Sequence, residues 1–225
     1  MAAIKWDRNF TYLKLNTQFV LTTTGIKNII FDLGGVIINL SVEDTYQSFA
    51  SLSGLSPEEI KKRAHQNTFF REYEKGLLSD SEFRYRVKSE FKLTVSDEEI
   101  DRAWNAMLLD IPLPRIKLLE RLRSEFNLFL LSNTNNIHLQ CFNTQVKALT
   151  GHATLDVYFD KAYYSHLVKM AKPDVEIYEY VLQSNQLNPE ETIFLDDNKD
   201  NLQGANKAGI KTFHVQNPYQ IFSLF

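Results

Sequence analysis

Four polar groups in this chain of 225 residues have the types and settings that chemistry requires. Asp32 follows the apolar run Ile29-Ile30-Phe31, Ser132 and Asn133 follow Phe129-Leu130-Leu131, and Asp196 and Asp197 follow Ile193-Phe194-Leu195. Lys172 stands before Pro173, between the second and third of these runs. Each has an ordinary reading on its own. A carboxylate after a strand can cap a helix, Ser132 and Asn133 can do the same, Lys172 can be a solvated charge, and Asp196-Asp197-Asn198 can be a turn. If they converge, they form a chemical set. Three carboxylates in one place repel each other unless a cation sits among them, and hard oxygen ligands select Mg²⁺. A lysine and hydroxyl or N–H donors beside that cation suit a phosphoryl group. A carboxylate nucleophile can take up such a group as an acyl-phosphate.

Convergence depends on the elements that carry these residues. Continuous apolar runs that stop at polar clusters read as strands buried on both faces, hence a parallel sheet with helices between its strands. Open α/β sheets bind ligands beyond the carboxyl ends of the strands, and all three polar clusters lie at that end. The stretch from Ser41 to Leu109 has a different texture, with no strand-like run. Four times a serine is followed three residues later by a carboxylate: Ser41/Asp44, Ser56/Glu59, Ser79/Glu82 and Ser96/Glu99. Each pair precedes apolar residues at helical spacing and can satisfy helix-start N–H groups reciprocally. Pro57 at a first helical position, with Gly54 and Gly76 just past helix ends, agrees. The pattern predicts four or so short helices inserted after the first strand. Pro112 and Pro114 mark the return, and Leu113 to Glu125 leads back into the sheet. Further on, the spacing predicts helices over Asn136–Leu149 and Asp174–Gln183 and a last helix ending at Ala208 before Gly209. Short strands are expected over Lys161–Ser165 and Lys211–Val215.

Composition narrows the function classes. Lys and Arg number 25 against 28 Asp and Glu, a formal charge of −3, with 44% apolar and 24% charged residues. These are ordinary globular proportions, and the balanced charge gives no footprint for nucleic acid. No apolar run approaches the ~18 residues of a membrane span. The single cysteine, Cys141, cannot form an internal disulfide, which fits a reducing, cytoplasmic setting. Residues 1–26 are expected to be an extension of unknown role. They lack a continuous apolar core and a small-residue cleavage pattern, so no signal peptide is expected, and Trp6, Phe10, Tyr12 and Leu13 suggest a segment that packs.

The motifs Phe31-Asp32-Leu33-Gly34-Gly35-Val36-Ile37, Leu131-Ser132-Asn133-Thr134, Lys172-Pro173 and Phe194-Leu195-Asp196-Asp197 occur in that order, the last continuing to Asn201, Gly204-Ala205 and Ala208-Gly209. In order and spacing the sequence resembles the haloacid dehalogenase superfamily over Lys27 to Val215, in its phosphatase branch with a helical cap. The runs Ser132 to Asn135, Glu74-Lys75-Gly76 and Asp196-Asp197-Asn198 are most similar to bacterial sugar-phosphate phosphatases of the α-D-glucose-1-phosphate type. The resemblance implies an α/β fold, a Rossmann-like three-layer sandwich with a mainly parallel sheet. Residues 27–40 and 110–225 would form this core, and 41–109 a small all-helical cap inserted after the first strand. It implies Asp32 as nucleophile and Mg²⁺ ligand, the Gly34 carbonyl as a second ligand, Asp197 as a direct ligand, and Asp196 as a ligand directly or through water. Ser132 and the Asn133 backbone N–H would hold phosphoryl oxygens, and Lys172 would offset charge on Asp32 and the phosphate. The implied substrate is a small phosphorylated metabolite, a sugar phosphate in class; the oligomeric state stays open.

One departure from the family pattern bears on mechanism. The phosphatases usually carry an acid/base Asp two residues after the nucleophile, where this chain has Gly34. General acid–base help is typically worth ~10²–10⁴ in rate. Without it, turnover should depend steeply on leaving-group acidity, and sugar 1-phosphates should react better than 6-phosphates. The contrasting reading is a catalytically weak phosphate-binding or regulatory relative, which hydrolysis of an aryl phosphate with Mg²⁺ and with EDTA would separate from an enzyme. In the insert, Trp104, Phe69, Phe70 and Tyr73 recur at helical spacing and favour a core. The second reading makes Tyr73, Glu74 and Trp104 a lid that sets substrate specificity. The five histidines show no metal-ligand spacing, Cys141 lies on an apolar helix face, and Lys61-Lys62-Arg63 reads as a solvated face.

Overall fold

A computed structural model describes residues 24–225, so the expectations for the N-terminal extension and its lack of a signal peptide fall, up to residue 23, outside the described residues. Five strands, β1 (Asn28–Phe31), β2 (Asn127–Ser132), β3 (Lys161–Tyr164), β4 (Thr192–Asp196) and β5 (Lys211–His214), form one sheet in the order β3-β2-β1-β4-β5. Every pairing is parallel. Eleven α-helices accompany them: α1 (Val42–Ser53), α2 (Pro57–Gln66), α3 (Phe69–Glu74), α4 (Asp80–Phe91), α5 (Asp97–Asn105), α6 (Leu113–Leu122), α7 (Asn136–Thr150), α8 (Ser165–Val168), α9 (Val175–Ser184), α10 (Lys199–Lys207) and α11 (Ile221–Leu224). Among the described residues no helix is long and apolar enough to cross a membrane.

The continuous apolar strands are buried on both faces because successive side chains point to opposite sides. Ile29, Phe31, Leu128, Leu130, Ile193 and Leu195 pack on one side with Ile116 and Leu119 of α6 and Phe142 and Val146 of α7. Ile30, Phe129, Leu131 and Phe194 pack on the other with Ile177 and Val181 of α9 and Leu202 and Ala205 of α10. Each such side chain contributes roughly 1.5–3 kcal/mol on full burial. The result is the three-layer α/β sandwich.

Helices α1 to α5 have a core of their own, in which Phe49, Ile60, Phe69, Tyr73, Phe83, Val87, Phe91, Ile100 and Trp104 pack together; Ile137 of α7 joins it from the sheet side. Five helices stand where about four were expected. Ser41, Ser56, Ser79 and Ser96 all cap their helices, each hydroxyl accepting from the backbone N–H three residues on. Only Ser79/Glu82 and Ser96/Glu99 close the reciprocal box. Such a cap is typically worth about 1 kcal/mol. Arg63 departs from the solvated reading: it donates to Glu59 and to the Glu90 carbonyl, stapling α2 to α4.

The two chain segments that enter and leave this helical unit run side by side. Asn39 N–H donates to the Asp110 carbonyl (3.0 Å), Leu109 N–H to the Asn39 carbonyl (3.0 Å) and Ser41 N–H to the Met107 carbonyl (3.0 Å). Buried Arg115 ties the pair to the sheet side, donating to the Ile37 carbonyl and to Asn39 Oδ1. Both late strands end a residue sooner than expected, and α7, α9 and α10 shift by a residue at their ends. β3 stops at Tyr164 because Ser165 turns its hydroxyl to the Thr134 N–H and opens α8, and β5 stops at His214.

Candidate active site

The register of the sheet assembles the site floor. Phe31 pairs with Leu130 on one side and Leu195 on the other, which sets Asp32 level with Asp196 as the strands end. Asp32 donates its backbone N–H to the Leu195 carbonyl (2.8 Å), the last rung before the chain turns through Gly34 and Gly35. Gly35 has φ of 68°, a left-handed conformation that glycine adopts at little cost. A Cβ there would also run into the Asp197 carboxylate, whose Cγ would lie 2.8 Å away. Both facts require glycine, and together they let Asp197 close on Asp32.

Lys172 sits at the centre. Its Nζ lies 2.7 Å from Asp32 Oδ1 and 2.7 Å from Asp196 Oδ2, with the Phe194 ring 5.2 Å beneath. The side chain is buried, with only 3% of the residue exposed. Its backbone is pinned by Asn133, whose Nδ2 donates to the Lys172 carbonyl (2.9 Å) and whose Oδ1 accepts from the Lys172 N–H (2.9 Å). Asp196, fully buried, accepts from the Asn198 N–H (2.7 Å) and from Asn201 Nδ2 as well as from Lys172. Ser132 is buried at the end of β2, and among the described residues its hydroxyl makes a single long contact of 3.4 Å, to the Asn133 carbonyl.

Charge at the floor does not balance. Asp32, Asp196 and Asp197 each offer an oxygen within 4.8 Å of the others, and one ammonium faces these three carboxylates. Burial pushes the Asp32 carboxyl up to about 7; Lys172 pulls it back, while Asp196 and Asp197 raise it further. Burial also raises Asp197, with Asp196 adding to it. Desolvation pulls the Lys172 ammonium down, but Asp196 and Asp32 outweigh it and hold it above its ordinary value, so it stays charged. A divalent cation would balance this donor set. Asp32 and Asp197 supply hard oxygen, and among the described residues no donor is bonded to the Gly34 carbonyl beside them. This set fits Mg²⁺. Asp196 fits direct ligation less well, because both of its oxygens already accept hydrogen bonds.

The floor opens into a cavity of about 580 Å³, roofed by Asn67, Phe70, Arg71 and Glu74 from the helical unit. Residues 26–209 match the family model described as haloacid dehalogenase-like hydrolase. The chain belongs to the haloacid dehalogenase-like hydrolases. Within the family it stands with the phosphatases. It is 31% identical over 192 residues to D-ribitol-5-phosphate phosphatase of Bacteroides thetaiotaomicron, covering 85% of this chain and 93% of the relative. It is 28% identical to a phosphorylated carbohydrates phosphatase of Thermotoga maritima, covering 83% of each. A HAD family enzyme of Bacteroides thetaiotaomicron, crystallised as the wild-type protein with magnesium and inorganic phosphate, superimposes with a TM-score of 0.73 at 36% identity, covering 84% of this chain and 93% of that one. Mg²⁺ is the cofactor that the donor set and this kinship give.

In this hydrolase the helical unit is the cap, and its three candidate specificity residues part company. Glu74 faces the main cavity. Trp104 walls a smaller inner space of about 180 Å³ beside Gly34, Leu40, Ser132 and Glu74; its indole N–H reaches Asn135 Oδ1 at 3.3 Å. Tyr73 lines neither space and follows the core reading. It is 2% exposed, stacks on Phe83 at 4.0 Å and donates its hydroxyl to Asp80 (2.7 Å), so the cap core consumes it. Among the described residues the histidines join no cluster of three or more potential metal ligands. Burial lowers His138 to about 4, and the neutral ring bridges Asn135 and the Trp104 carbonyl as part of the cap joint. Cys141 is half-buried on α7.

Several residues of the site carry no signal that sequence reasoning used. The Asn133 side chain holds Lys172, Gly35 makes room for Asp197, and Leu40 fills the space that a side chain at position 34 would need. Cap and core also meet through Asp174, which accepts from Arg71 (2.9 Å) and Lys75 (2.7 Å). Its neighbourhood with Pro173 was visible, but its partners, about 100 residues away, were not.

Proposed function

We propose that this phosphatase removes the phosphoryl group from a small phosphorylated carbohydrate or polyol in the cytoplasm, through an aspartyl-phosphate on Asp32. The observation that carries the reading is the Asp32–Lys172–Asp196 chain of 2.7 Å contacts opening onto the roofed cavity. A cavity of about 580 Å³ suits a small ligand. Its mixture of amides and charges, Asn67 and Arg71 above with Asn198 and Asn201 below, suits a hydroxyl-rich one. The names of the relatives support the same substrate class, and the lone cysteine supports the setting.

Asp32 presents one oxygen to Lys172 and keeps the other for attack on phosphorus. Lys172, fixed by Asp196 and Asn133, holds a positive charge where the phosphoryl oxygens arrive. Ser132 and the Asn133 N–H take the remaining phosphoryl oxygens. Asp32, Asp197 and the Gly34 carbonyl would hold Mg²⁺, which when bound offsets the negative charge of carboxylate and phosphate. The cap keeps water from the reacting phosphorus until the leaving group has gone. The regulatory alternative is not favoured, since every polar group the floor needs is present and held.

The test is a screen of phosphorylated sugars and polyols with Mg²⁺ and with EDTA, alongside Asp32→Asn. That variant should lose at least ~10³-fold in turnover, the scale seen when a covalent nucleophile is removed, and EDTA should abolish turnover. An Asp32→Asn protein retaining more than about a tenth of the rate would refute the assignment.

A further inference from the structure

The space beside the nucleophile poses a problem of protons. When the phosphoryl group is transferred, the sugar or polyol leaves as an alkoxide unless something protonates it, and position 34 offers no side chain. Leu40, an apolar residue, occupies the volume that a side chain at 34 would enter. No acid can be restored there without moving Leu40.

Above the gap stands Glu74. It lines the main cavity with Asp32 and Lys172, and also the inner space with Gly34, Leu40 and Ser132. Among the cap residues that line the main cavity it is the one carboxylate. Its backbone is held firmly, since Ser165 Oγ donates to the Glu74 carbonyl (2.6 Å) while accepting from the Thr134 N–H (2.9 Å) at the end of β2. Gly76, two residues on, is seated against the His166 carbonyl, and Lys169 Nζ donates to the Gly76 carbonyl. The carboxyl itself, among the described residues, has no hydrogen-bond partner within the protein. A side chain so placed, anchored at its root and free at its tip, is positioned for transfer rather than for support.

We propose that Glu74 is the proton carrier of the reaction, reaching from the cap to the leaving oxygen. The inference rests on the phosphatase reading above. An Asp32 oxygen bonds to phosphorus as the phosphorus–leaving oxygen bond breaks. The leaving oxygen keeps that electron pair and takes the proton of the neutral Glu74 carboxyl. Glu74, now a carboxylate, accepts a proton from the water that attacks phosphorus. The phosphorus–Asp32 bond breaks, phosphate departs, and both carboxyl groups return to their starting forms.

The electrostatic setting is compatible. Burial pushes Glu74 up to about 7, against the pull of Arg71 and Lys172. Arg71 shares its helix and Lys172 lies below, while Asp32, Asp197 and Asp200 line the cavity across from it. Lys75 and Asp174 pair with each other at the cap edge, and His166 and Lys169 lie behind the turn. A group near 7 is neutral often enough to donate and ionised often enough to accept, which is what both halves of the cycle ask.

The test uses the Mg²⁺-loaded enzyme on a series of alkyl and aryl phosphates, with Glu74→Gln as the isosteric variant. Turnover of alkyl phosphates should fall by ~10²-fold or more, within the range for lost acid–base help. Read as kcat/KM, which reports the first phosphoryl transfer and not the hydrolysis that both substrates share, the loss on an aryl phosphate with an acidic phenol should be at least ~10-fold smaller than on an alkyl phosphate, because that oxygen leaves unaided. Wild-type alkyl turnover should decline as pH rises through neutrality, when the acid form is depleted, and Glu74→Gln should lose that limb. Glu74→Asp, which keeps a carboxyl on a shorter arm, should retain the limb at a lower rate. Equal losses on both substrate classes, no loss at all, or a limb that survives in Glu74→Gln would overturn the proposal. Should Glu74→Gln fail to fold, the same pattern of losses is read from Glu74→Asp. Asp32→Asn run in parallel separates the two readings: if it stays active the phosphatase reading fails, and if it alone is dead only the role of Glu74 does.

Discussion

At the sheet end Asp196 accepts hydrogen bonds at both oxygens, from Lys172, Asn198 and Asn201, whereas Glu74 in the cap above has its backbone clamped and its carboxyl unpartnered. On the floor Lys172 and Asp196 are fixed by their neighbours, while on the roof the Glu74 carboxyl can still choose a partner. Their joints differ in the same sense. Asp32, Lys172 and Asp196 are joined by buried contacts, while the cap edge is held to the core by the partly exposed pairs of Asp174 with Arg71 and Lys75. The difference separates two tasks, holding charge for phosphate below and adapting to the rest of the substrate above.

Substitutions can test whether that division is real. Lys172→Met should have the largest effect. It leaves carboxylates buried without their ammonium, and breaking a buried pair costs ~3–5 kcal/mol. Urea denaturation without metal should show that loss, and saturating Mg²⁺ should return part of it by binding the folded state. A loss below about 1 kcal/mol would mean that the floor is no coupled unit.

Gly35→Ala should act next most strongly, chiefly on the metal, with the left-handed φ adding ~1–2 kcal/mol of backbone strain. The new methyl displaces the Asp197 carboxylate, so the Mg²⁺ concentration for half-maximal activity should rise ~10–100-fold, the usual cost of disturbing a ligand's support. A metal titration showing no shift would put Asp197 outside the metal site.

Asp174→Asn should do least to stability. Its two ion pairs are partly exposed, and such pairs are worth about 0–1 kcal/mol. The expected signature is a rise of up to ~5-fold in KM for a sugar phosphate, the equivalent of that energy, with little change in melting temperature. A loss of melting temperature as large as that of Lys172→Met would erase the contrast between roof and floor.

What was legible in the sequence follows the same contrast. Asp32, Ser132 and Asp196 could be placed together because apolar runs long enough only for buried strands end at each of them, and a parallel sheet aligns its carboxyl ends. The cap helices announced themselves through serines three residues before carboxylates, a local signal that needs no partner from elsewhere. Leu40 filling the space at Gly34, Asn133 bracing the Lys172 backbone and Ser165 anchoring Glu74 were illegible, because each depends on residues brought together across 6 to 91 positions by the finished fold. Tyr73 and Glu74 show the limit most sharply. They are neighbours on one short helix, and only the packing of that helix sends one ring into the cap core and the next carboxyl into the cavity.

The cap meets the core through two chain crossings that lie side by side, bonded to each other from Asn39 to Ser41 on one and Met107 to Asp110 on the other. Mechanically this is a single strap with one axle. A body hung from two separated tethers can slide, tilt and twist, but a body hung from one paired ribbon can chiefly swing. Swinging the cap open would part the Asp174 pairs and the stack of Trp104 on His138, so the closed roof is held in both places.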